Sequence, residues 1–302
     1  MKRVTLFISL LITGGLVFSQ QDPQFSQNMF NKLANNPGYA GSNEAICATA
    51  LHRSQWAGFE GAPTTLNLSV DAGIPVINGG IGLNIVKDDI AAFSNLGLQL
   101  TYAYRTDLGN GQMGAGLSLG MFQSGAEGGW FEPAQSGDAV IPMGDVKGSS
   151  MDFGFGIYYN TQDVYIGLST SHFTEPTIEW SDGQQMGLER HYFLIAGYAH
   201  ELNPMFTLNP SIYLKSDGAS SQLDINTNVL YNNKLWGGFS YRLEEGVIAL
   251  LGMHINESLK FGLAYDVVMS EIQNNSLEFM LGYCFHVKYD RPIKSYKNPR
   301  FL

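Results

Sequence analysis

The amino-acid sequence predicts an all-β fold, a single closed antiparallel transmembrane β-barrel of about 14 strands. Apolar and polar residues alternate along one segment after another beyond residue 45, as in strands with one apolar face. Most of these segments hold ten or more residues, whereas strands in soluble proteins average ~5–6. Mean hydropathy is only −0.05, which excludes a polytopic helical membrane protein. A barrel remains possible because its strands need apolar residues only at alternate positions.

Composition narrows the functional classes. The chain has 302 residues, of which 15% are charged, against roughly a quarter in soluble domains. The formal charge of −10 argues against nucleic acid as a partner, since nucleic-acid binders carry a basic face. Two cysteines exclude both a disulfide-dense scaffold and a four-cysteine zinc module.

Residues 1–19 are predicted to be a signal peptide. Lys2 and Arg3 precede an apolar stretch over residues 6–17, and small residues then mark a cleavage site before Gln20. A retained membrane helix would need ~20 apolar residues, and this stretch is shorter. The mature chain is therefore expected to be exported.

Residues 20–45 are expected to form a periplasmic or lumenal segment. They precede the first strand and are rich in Asn and Gln. They could plug the barrel lumen or serve as a periplasmic docking strip. The alternative is a loosely tethered leader, since chain termini are commonly poorly ordered.

The barrel is predicted to span residues 46–288. Residues 277–287 show the pattern well, because Leu, Phe, Leu, Tyr, Phe and Val alternate there with Glu, Met, Gly, Cys and His. The predicted strands are 46–56, 64–73, 79–87, 93–106, 112–123, 149–160, 163–173, 189–201, 205–216, 219–232, 234–243, 246–255, 258–269 and 275–288.

The lengths of the connections predict which way the barrel faces. Connections after strands four, six, eight, ten and twelve are tight, those after five and seven are long (124–148 and 174–188), and the other odd ones are expected to be intermediate. Outer-membrane barrels have short periplasmic turns and longer extracellular loops. An even strand number returns both termini to the periplasmic side. The alternative is a large soluble β-sandwich, whose strands would be shorter.

The two long outer loops hold candidate contacts for a partner. Trp130, Phe131, Phe173 and Trp180 lie among acidic residues in these loops, and loops carry binding residues disproportionately. The alternative is that these rings belong to the aromatic girdle found in any such barrel.

Residues 289–302 are predicted to be a basic periplasmic tail. Arg291, Lys294, Lys297 and Arg300 stand against one acid, Asp290. On an otherwise acidic chain this tail could dock an acidic partner, or it could be a solvated extension.

Cys47 and Cys284 are a candidate disulfide. Cys47 opens the first predicted strand and Cys284 lies near the end of the last, and a closed barrel makes those strands neighbours. The bond fails if their Cα atoms lie more than ~7 Å apart.

The sequence predicts no enzyme, and no catalytic, cofactor or metal site. Residues 116–120 match the G-x-S-x-G pattern, but a nucleophile elbow needs a strand-to-helix turn, and Ser118 lies within an alternating strand. The six histidines show no metal-binding spacing. A barrel lipase with a triad assembled across strands remains the enzymatic alternative.

Four blocks of the sequence resemble signatures of one family. The first runs through Gln-Gln-Asp-Pro-Gln-Phe-Ser-Gln (20–27), Met-Phe-Asn (29–31) and Asn-Pro-Gly-Tyr-Ala-Gly (36–41). The second runs from Arg-Ser-Gln-Trp (53–56) to Gly-Ala-Pro-Thr-Thr (61–65), and the others lie within 210–242 and 265–283. The chain thus resembles the PorP/SprF family, outer-membrane proteins of the type IX secretion system and its gliding relatives.

The resemblance implies a non-enzymatic integral component of the bacterial outer membrane. Its implied partners are outer-membrane lipid, periplasmic secretion or motor components, and a large secreted surface protein that it helps to secrete, present or anchor. The alternative is a transport pore, either porin-like or for hydrophobic solutes. A pore predicts ion conductance and a lumen free of residues 20–45, whereas a secretion component predicts co-purification with machinery and little conductance.

Overall fold

The computed structural model describes residues 22–43, 45–128, 144–269 and 274–285. These residues form a closed antiparallel barrel of fourteen strands, as predicted. The strands are β1 Ile46–Ser54, β2 Thr64–Ile74, β3 Gly79–Ile90, β4 Phe93–Leu108, β5 Gly111–Ala126, β6 Val146–Asn160, β7 Val164–Ser171, β8 His191–Tyr198 continued by His200–Asn203, β9 Phe206–Ser216, β10 Ser221–Tyr231, β11 Leu235–Arg242, β12 Gly246–His254, β13 Leu259–Val268 and β14 Ser276–Phe285.

The sheet closes through its first and last strands. Ile46 of β1 pairs with Phe285 of β14, and the register continues to Ser54 opposite Leu277. Each other strand pairs with its neighbours in chain order, and β8 pairs with both β7 and β9. Closure satisfies the backbone groups of every strand within the sheet, which hydrocarbon requires because it offers no hydrogen-bond partner.

The barrel carries apolar side chains on its outer face and polar side chains on its inner face, the reverse of a soluble protein. On β5, Leu117 and Leu119 point outward and are 65% and 47% exposed, while Ser118 between them points inward and is buried. Leu98 and Leu100 on β4 likewise flank the inward Gln99. The outer surface is therefore a continuous apolar band that suits lipid.

The connections fall into two sets at opposite ends of the barrel. One end, here called the turn end, carries both ends of the sheet and short connections after every even strand. The other, the loop end, carries the connections 55–63, 127–145 and 172–190, the last with a small hairpin of Thr177–Glu179 and Gln185–Gly187.

Three odd connections are about as short as the connections at the turn end. Those after β3, β9 and β11 span only 91–92, 217–220 and 243–245, so the expectation of intermediate length at these positions is wrong. At the first of them the pairing of β3 with β4 continues to Ile90 opposite Phe93, which leaves two residues for the turn. Loop length therefore separates the two ends less cleanly than the sequence indicates.

Residues 22–43 lie inside the barrel and are here called the lumenal segment. They contain two short 3-10 turns, Asn28–Phe30 and Pro37–Tyr39. Phe25 belongs to a buried lumenal cluster with Leu51 of β1 and Trp236 of β11. Among the described residues no helix is long and apolar enough to cross a membrane. The predicted signal peptide (1–19) and basic tail (289–302) lie outside the described residues.

Candidate functional site

The lumen holds the densest polar structure in the described chain, and the lumenal segment organises it. The segment makes hydrogen bonds to inward-facing groups of β1, β2, β4, β6, β7, β8, β9, β10, β13 and β14. Every second residue of a strand faces the lumen, so each strand can supply a polar group at alternate positions. The segment can therefore satisfy partners on all sides of the lumen.

Five ionised side chains at the centre of the lumen form what we call the central charge network, namely Arg53, Asp224, Arg242, Asp266 and Glu278. Each of their side chains is at most 4% exposed. Arg53 approaches Asp266 at 2.7 Å, and Arg242 bonds both oxygens of Asp224 while lying 3.3 Å from Asp266. Charges buried this deeply are stable only when they are paired and hydrogen-bonded.

The lumenal segment completes this network. The backbone N–H groups of Ser26 and Gln27 donate to the two carboxylate oxygens of Glu278 at 2.7 and 2.8 Å. Ser26 Oγ donates to Asp266 at 2.8 Å and accepts from Arg53 at 2.6 Å. Hydrogen bonds to an ionised group are roughly twice as strong as neutral ones. This short stretch is therefore fixed to β1, β13 and β14 together.

An asparagine ladder holds the middle of the segment. Asn31 donates through its side-chain amide to Asn67 of β2 and accepts from Ser69 Oγ at 2.6 Å. Asn67 in turn donates to Asn84 of β3 at 2.7 Å. Asn31, Asn67 and Asn84 are all buried, so their amides satisfy one another in place of water.

The Asn36-Pro37-Gly38 turn rests on a floor of glycines. Asn36 Oδ1 accepts from the Gly38 N–H at 2.8 Å, and its amide donates to the carbonyls of Ile157 and Leu168 at 3.1 and 3.2 Å. A Cβ on Gly38 would lie 2.9 Å from three backbone atoms of β5 and β6, among them the carbonyl oxygen of Gly114. The turn can approach the wall this closely only because no side chain intervenes.

A chamber of about 570 Å³ opens beside the segment at the turn end. Lys32 and Lys260 line it together with Phe30, Tyr165 and Trp236. Lys32 Nζ lies 3.8 Å from the Tyr165 ring centroid, and the ring centroids of Phe30 and Trp236 are 4.3 Å apart with the rings tilted by 37°. The chamber therefore offers aromatic faces and cationic groups to an entering ligand.

The structure places the two candidate cysteines together. Cys47 of β1 lies opposite Cys284 of β14, with Cα atoms 4.1 Å apart and the sulfurs joined in a disulfide. The bond therefore links the first and last strands near the turn end.

The structure describes two of the four predicted loop aromatics. Phe173 is 52% exposed at the loop end, where the guanidinium of Arg190 lies 5.0 Å from its ring centroid. Trp180 is partly buried, and its ring centroid lies 6.2 Å from that of Phe93. Phe173 and Trp180 therefore have different neighbours. Trp130 and Phe131 lie outside the described residues, as do the tail residues Arg291, Lys294, Lys297 and Arg300.

Ser118 lies in the middle of β5 with its side chain toward the lumen and buried. No strand-to-helix turn surrounds it in the described chain, so the G-x-S-x-G match has none of the geometry of a nucleophile elbow.

Sequence reasoning did not single out the members of the central charge network as a site. Each comes from a different strand, and no spacing along the chain brings them together. A signal was nevertheless present, because ionised residues interrupt the inward face of strands that otherwise carry small polar groups.

Comparison with known proteins agrees with this architecture. Residues 17–283 match the sequence profile of the family described as type IX secretion system membrane protein PorP/SprF. No protein with a curated description matches the chain. Among solved structures, the toluene transporter TbuX of Ralstonia pickettii is 12% identical with a TM-score of 0.50, covering 86% of this chain and 93% of its own.

Two further structures are similar in shape. The monoaromatic hydrocarbon channel CymD is 10% identical with a TM-score of 0.50, over 88% of this chain and 94% of its own. The KdgM porin is 11% identical with a TM-score of 0.42, over 80% of this chain and 100% of its own. At these identities the likeness to solved structures concerns the barrel fold alone.

Proposed function

The chain belongs to the PorP/SprF family of type IX secretion system membrane proteins, and we propose that it supports secretion and the surface presentation or anchoring of a secreted protein without itself catalysing a reaction. It is an integral barrel of the outer membrane. The proposed partners are periplasmic secretion or motor components on one side and a large secreted surface protein on the other.

The observation that carries this choice over a transport pore is the filled lumen. A porin-like pore needs a continuous water-filled path, whereas the lumenal segment occupies the centre of this barrel and is bonded to most of its strands. Ser26, Gln27, Asn28 and Asn31 of the segment are all buried. Buried polar groups bonded on every side favour a permanent component of the fold over a movable gate.

Three regions are proposed to meet partners. The turn-end chamber, with Lys32 and Lys260 beside aromatic rings, suits a peptide that carries negative charge. At the loop end, Phe173 and Trp180 are proposed contacts for the surface protein, together with Trp130 and Phe131. The basic tail is proposed to dock an acidic periplasmic partner.

Affinity purification of the full chain from native outer membranes tests the proposal. We expect periplasmic secretion components and a large surface protein in the eluate, and little conductance when the barrel is placed in planar bilayers. Steady conductance with no such partners would favour the transport pore, which is the alternative function.

Deletion of residues 291–302 tests the tail separately. We expect the barrel to remain inserted and the periplasmic components to be lost from the eluate, because the deletion removes four cationic side chains and none of the predicted strands. A deletion of 292–293, which leaves all four in place, is the matched control. Undiminished association after the longer deletion would refute the docking role of the tail and leave the family function standing.

A further inference from the structure

Three residues from separate parts of the chain converge at the loop end of the lumen. Asp22 begins the described lumenal segment, His172 follows β7, and His191 begins β8. Asp22 Oδ1 lies 2.8 Å from His172 Nε2, and one potential ligand atom from each of the three residues falls within 4.8 Å of the others. Both histidines are buried, and the Asp22 side chain is 21% exposed.

The imidazole of His191 is held as a metal ligand is, since its Nδ1 lies 2.9 Å from the carbonyl oxygen of Glu189. A histidine that binds a metal usually donates its other ring N–H to a carboxylate or a backbone carbonyl, which fixes the tautomer and the ring. His172 Nδ1 lies 3.0 Å from Asp152 Oδ1, an ion-pair contact without hydrogen-bond alignment. His172 Nε2 faces the Asp22 carboxylate, and His191 Nε2 accepts from the Asp22 backbone N–H at 3.3 Å.

The carboxylate of Asp22 is oriented too. Ser171 Oγ donates to Asp22 Oδ2 at 2.7 Å, which leaves Oδ1 toward His172. Lys215 Nζ bonds the backbone carbonyl of Asp22 at 2.9 Å rather than its carboxylate. One carboxylate oxygen is therefore presented to His172, and a potential ligand atom of His191 lies within 4.8 Å of the pair.

A cavity of about 80 Å³ adjoins the cluster. Asp22 and His172 line it, and so do the acidic side chains of Asp88 and Glu189. It offers room for water beside Asp22 and His172, and its acidic side chains favour a cation.

We propose that Asp22 Oδ1, His172 Nε2 and His191 Nε2 bind one divalent transition-metal ion, with Zn²⁺ the best match and water from the cavity as fourth ligand. Two imidazoles, a carboxylate and a water form a tetrahedral zinc set. Bond lengths of ~2.0–2.2 Å place neighbouring ligand atoms roughly 3.4 Å apart, so small side-chain shifts suffice. The ion takes the place of the proton between Asp22 and His172 and of the Asp22 N–H that now donates to His191 Nε2, and it ties the start of the lumenal segment to β7 and β8.

Zinc binding by the purified, folded full chain tests the site. The protein, without a polyhistidine tag, is stripped with a chelator and titrated with Zn²⁺ by calorimetry. We expect about one bound ion per chain, and a visible d–d band with Co²⁺ in its place. His191→Ala should lower the affinity at least about 100-fold, and Asp152→Asn about 10–100-fold because it removes the partner of a ligand.

A matched control and a second ligand variant keep the result interpretable. His200 lies on the same strand as His191 and is exposed. The His200→Ala variant should therefore bind Zn²⁺ as the unaltered chain does. Asp22→Asn leaves every strand unchanged and should lower the affinity even where His191→Ala fails to fold. Failure of the unaltered chain to bind Zn²⁺, or equal binding by Asp22→Asn, would overturn the proposal, while the proposed secretion role would be unaffected.

Discussion

Replacing Gly38 with alanine should loosen the lumenal segment from the barrel wall. The added Cβ would lie 2.9 Å from the carbonyl oxygens of Gly114 and Gly156 and from the backbone nitrogen of Tyr158. Each contact is about 0.5 Å shorter than ordinary van der Waals contact. All three atoms belong to the backbone of paired strands, so they cannot turn aside as a side chain could.

The expected cost follows from the behaviour of overpacked sites. Extra methyl groups in well-packed interiors typically cost about 1–3 kcal/mol. Because the strain falls between the segment and the wall, this free energy reduces the equilibrium constant for docking of the segment by roughly 5–150-fold. The barrel strands themselves keep their pairing and their lipid-facing surface.

Trypsin cleavage after Lys32 measures the docking equilibrium. Lys32 lies inside the barrel, beyond the reach of a protease, so cleavage follows the undocked population when docking is fast. We expect the rate of cleavage in Gly38→Ala to rise by the same factor of roughly 5–150. Gly187→Ala is the matched control, since its Cβ would meet nothing within 4 Å. An unchanged rate in Gly38→Ala, or an equal rise in Gly187→Ala, would refute the reasoning.

Two other substitutions and one labelling experiment probe the central charge network, the disulfide between the first and last strands, and the outer face. Arg242→Met should lower the free energy of unfolding by about 3–5 kcal/mol, because it leaves buried carboxylates unpaired. Urea unfolding in vesicles measures this free energy. The control Lys87→Met, which breaks an exposed ion pair, should lower it by at most about 1 kcal/mol. Thiol labelling of denatured protein should find no free thiol without reductant and both Cys47 and Cys284 with it, and labelling without reductant would refute the bond. Leu100→Arg, which puts a charge on the lipid face, should destabilise the inserted barrel by about 2–4 kcal/mol; no change in the same urea assay would contradict the outward orientation of Leu100.

The strands could be predicted to within a few residues because the lipid fixes them. An outward position must be apolar and its neighbour faces the lumen, so the period of two persists over each strand, as in Leu117-Ser118-Leu119 of β5. Turn lengths were harder to predict from the sequence than the strands. The two-residue turn after β3 depends on cross-strand pairing of Ile90 with Phe93, which the sequence does not reveal. The polar residues before this turn are equally compatible with a loop and with a strand end outside the membrane.

The site could not be predicted in the same way. Arg53 meets Asp266 and Glu278 across more than two hundred positions of the chain, and inward positions tolerate many polar residue types, so alternation carries no information about which of them meet. The resemblance of residues 20–41 to a family signature marked the segment without locating its contacts. Asp22, His172 and His191 likewise match no local motif, because their proximity depends on the path of the segment through the lumen.

The lumenal segment and the central charge network require each other. The network holds two guanidinium groups and three carboxylates, and Glu245 adds a partly buried carboxylate 3.6 Å from Arg242. Negative charge is therefore in excess at this buried site. The backbone N–H groups of Ser26 and Gln27, both directed at Glu278, stabilise that excess where the nearest guanidinium nitrogen is 3.5 Å away. Without the segment, Glu278 would have to be hydrated or neutralised, since an unpaired buried charge costs several kcal/mol. The charges of the wall therefore favour an occupied lumen.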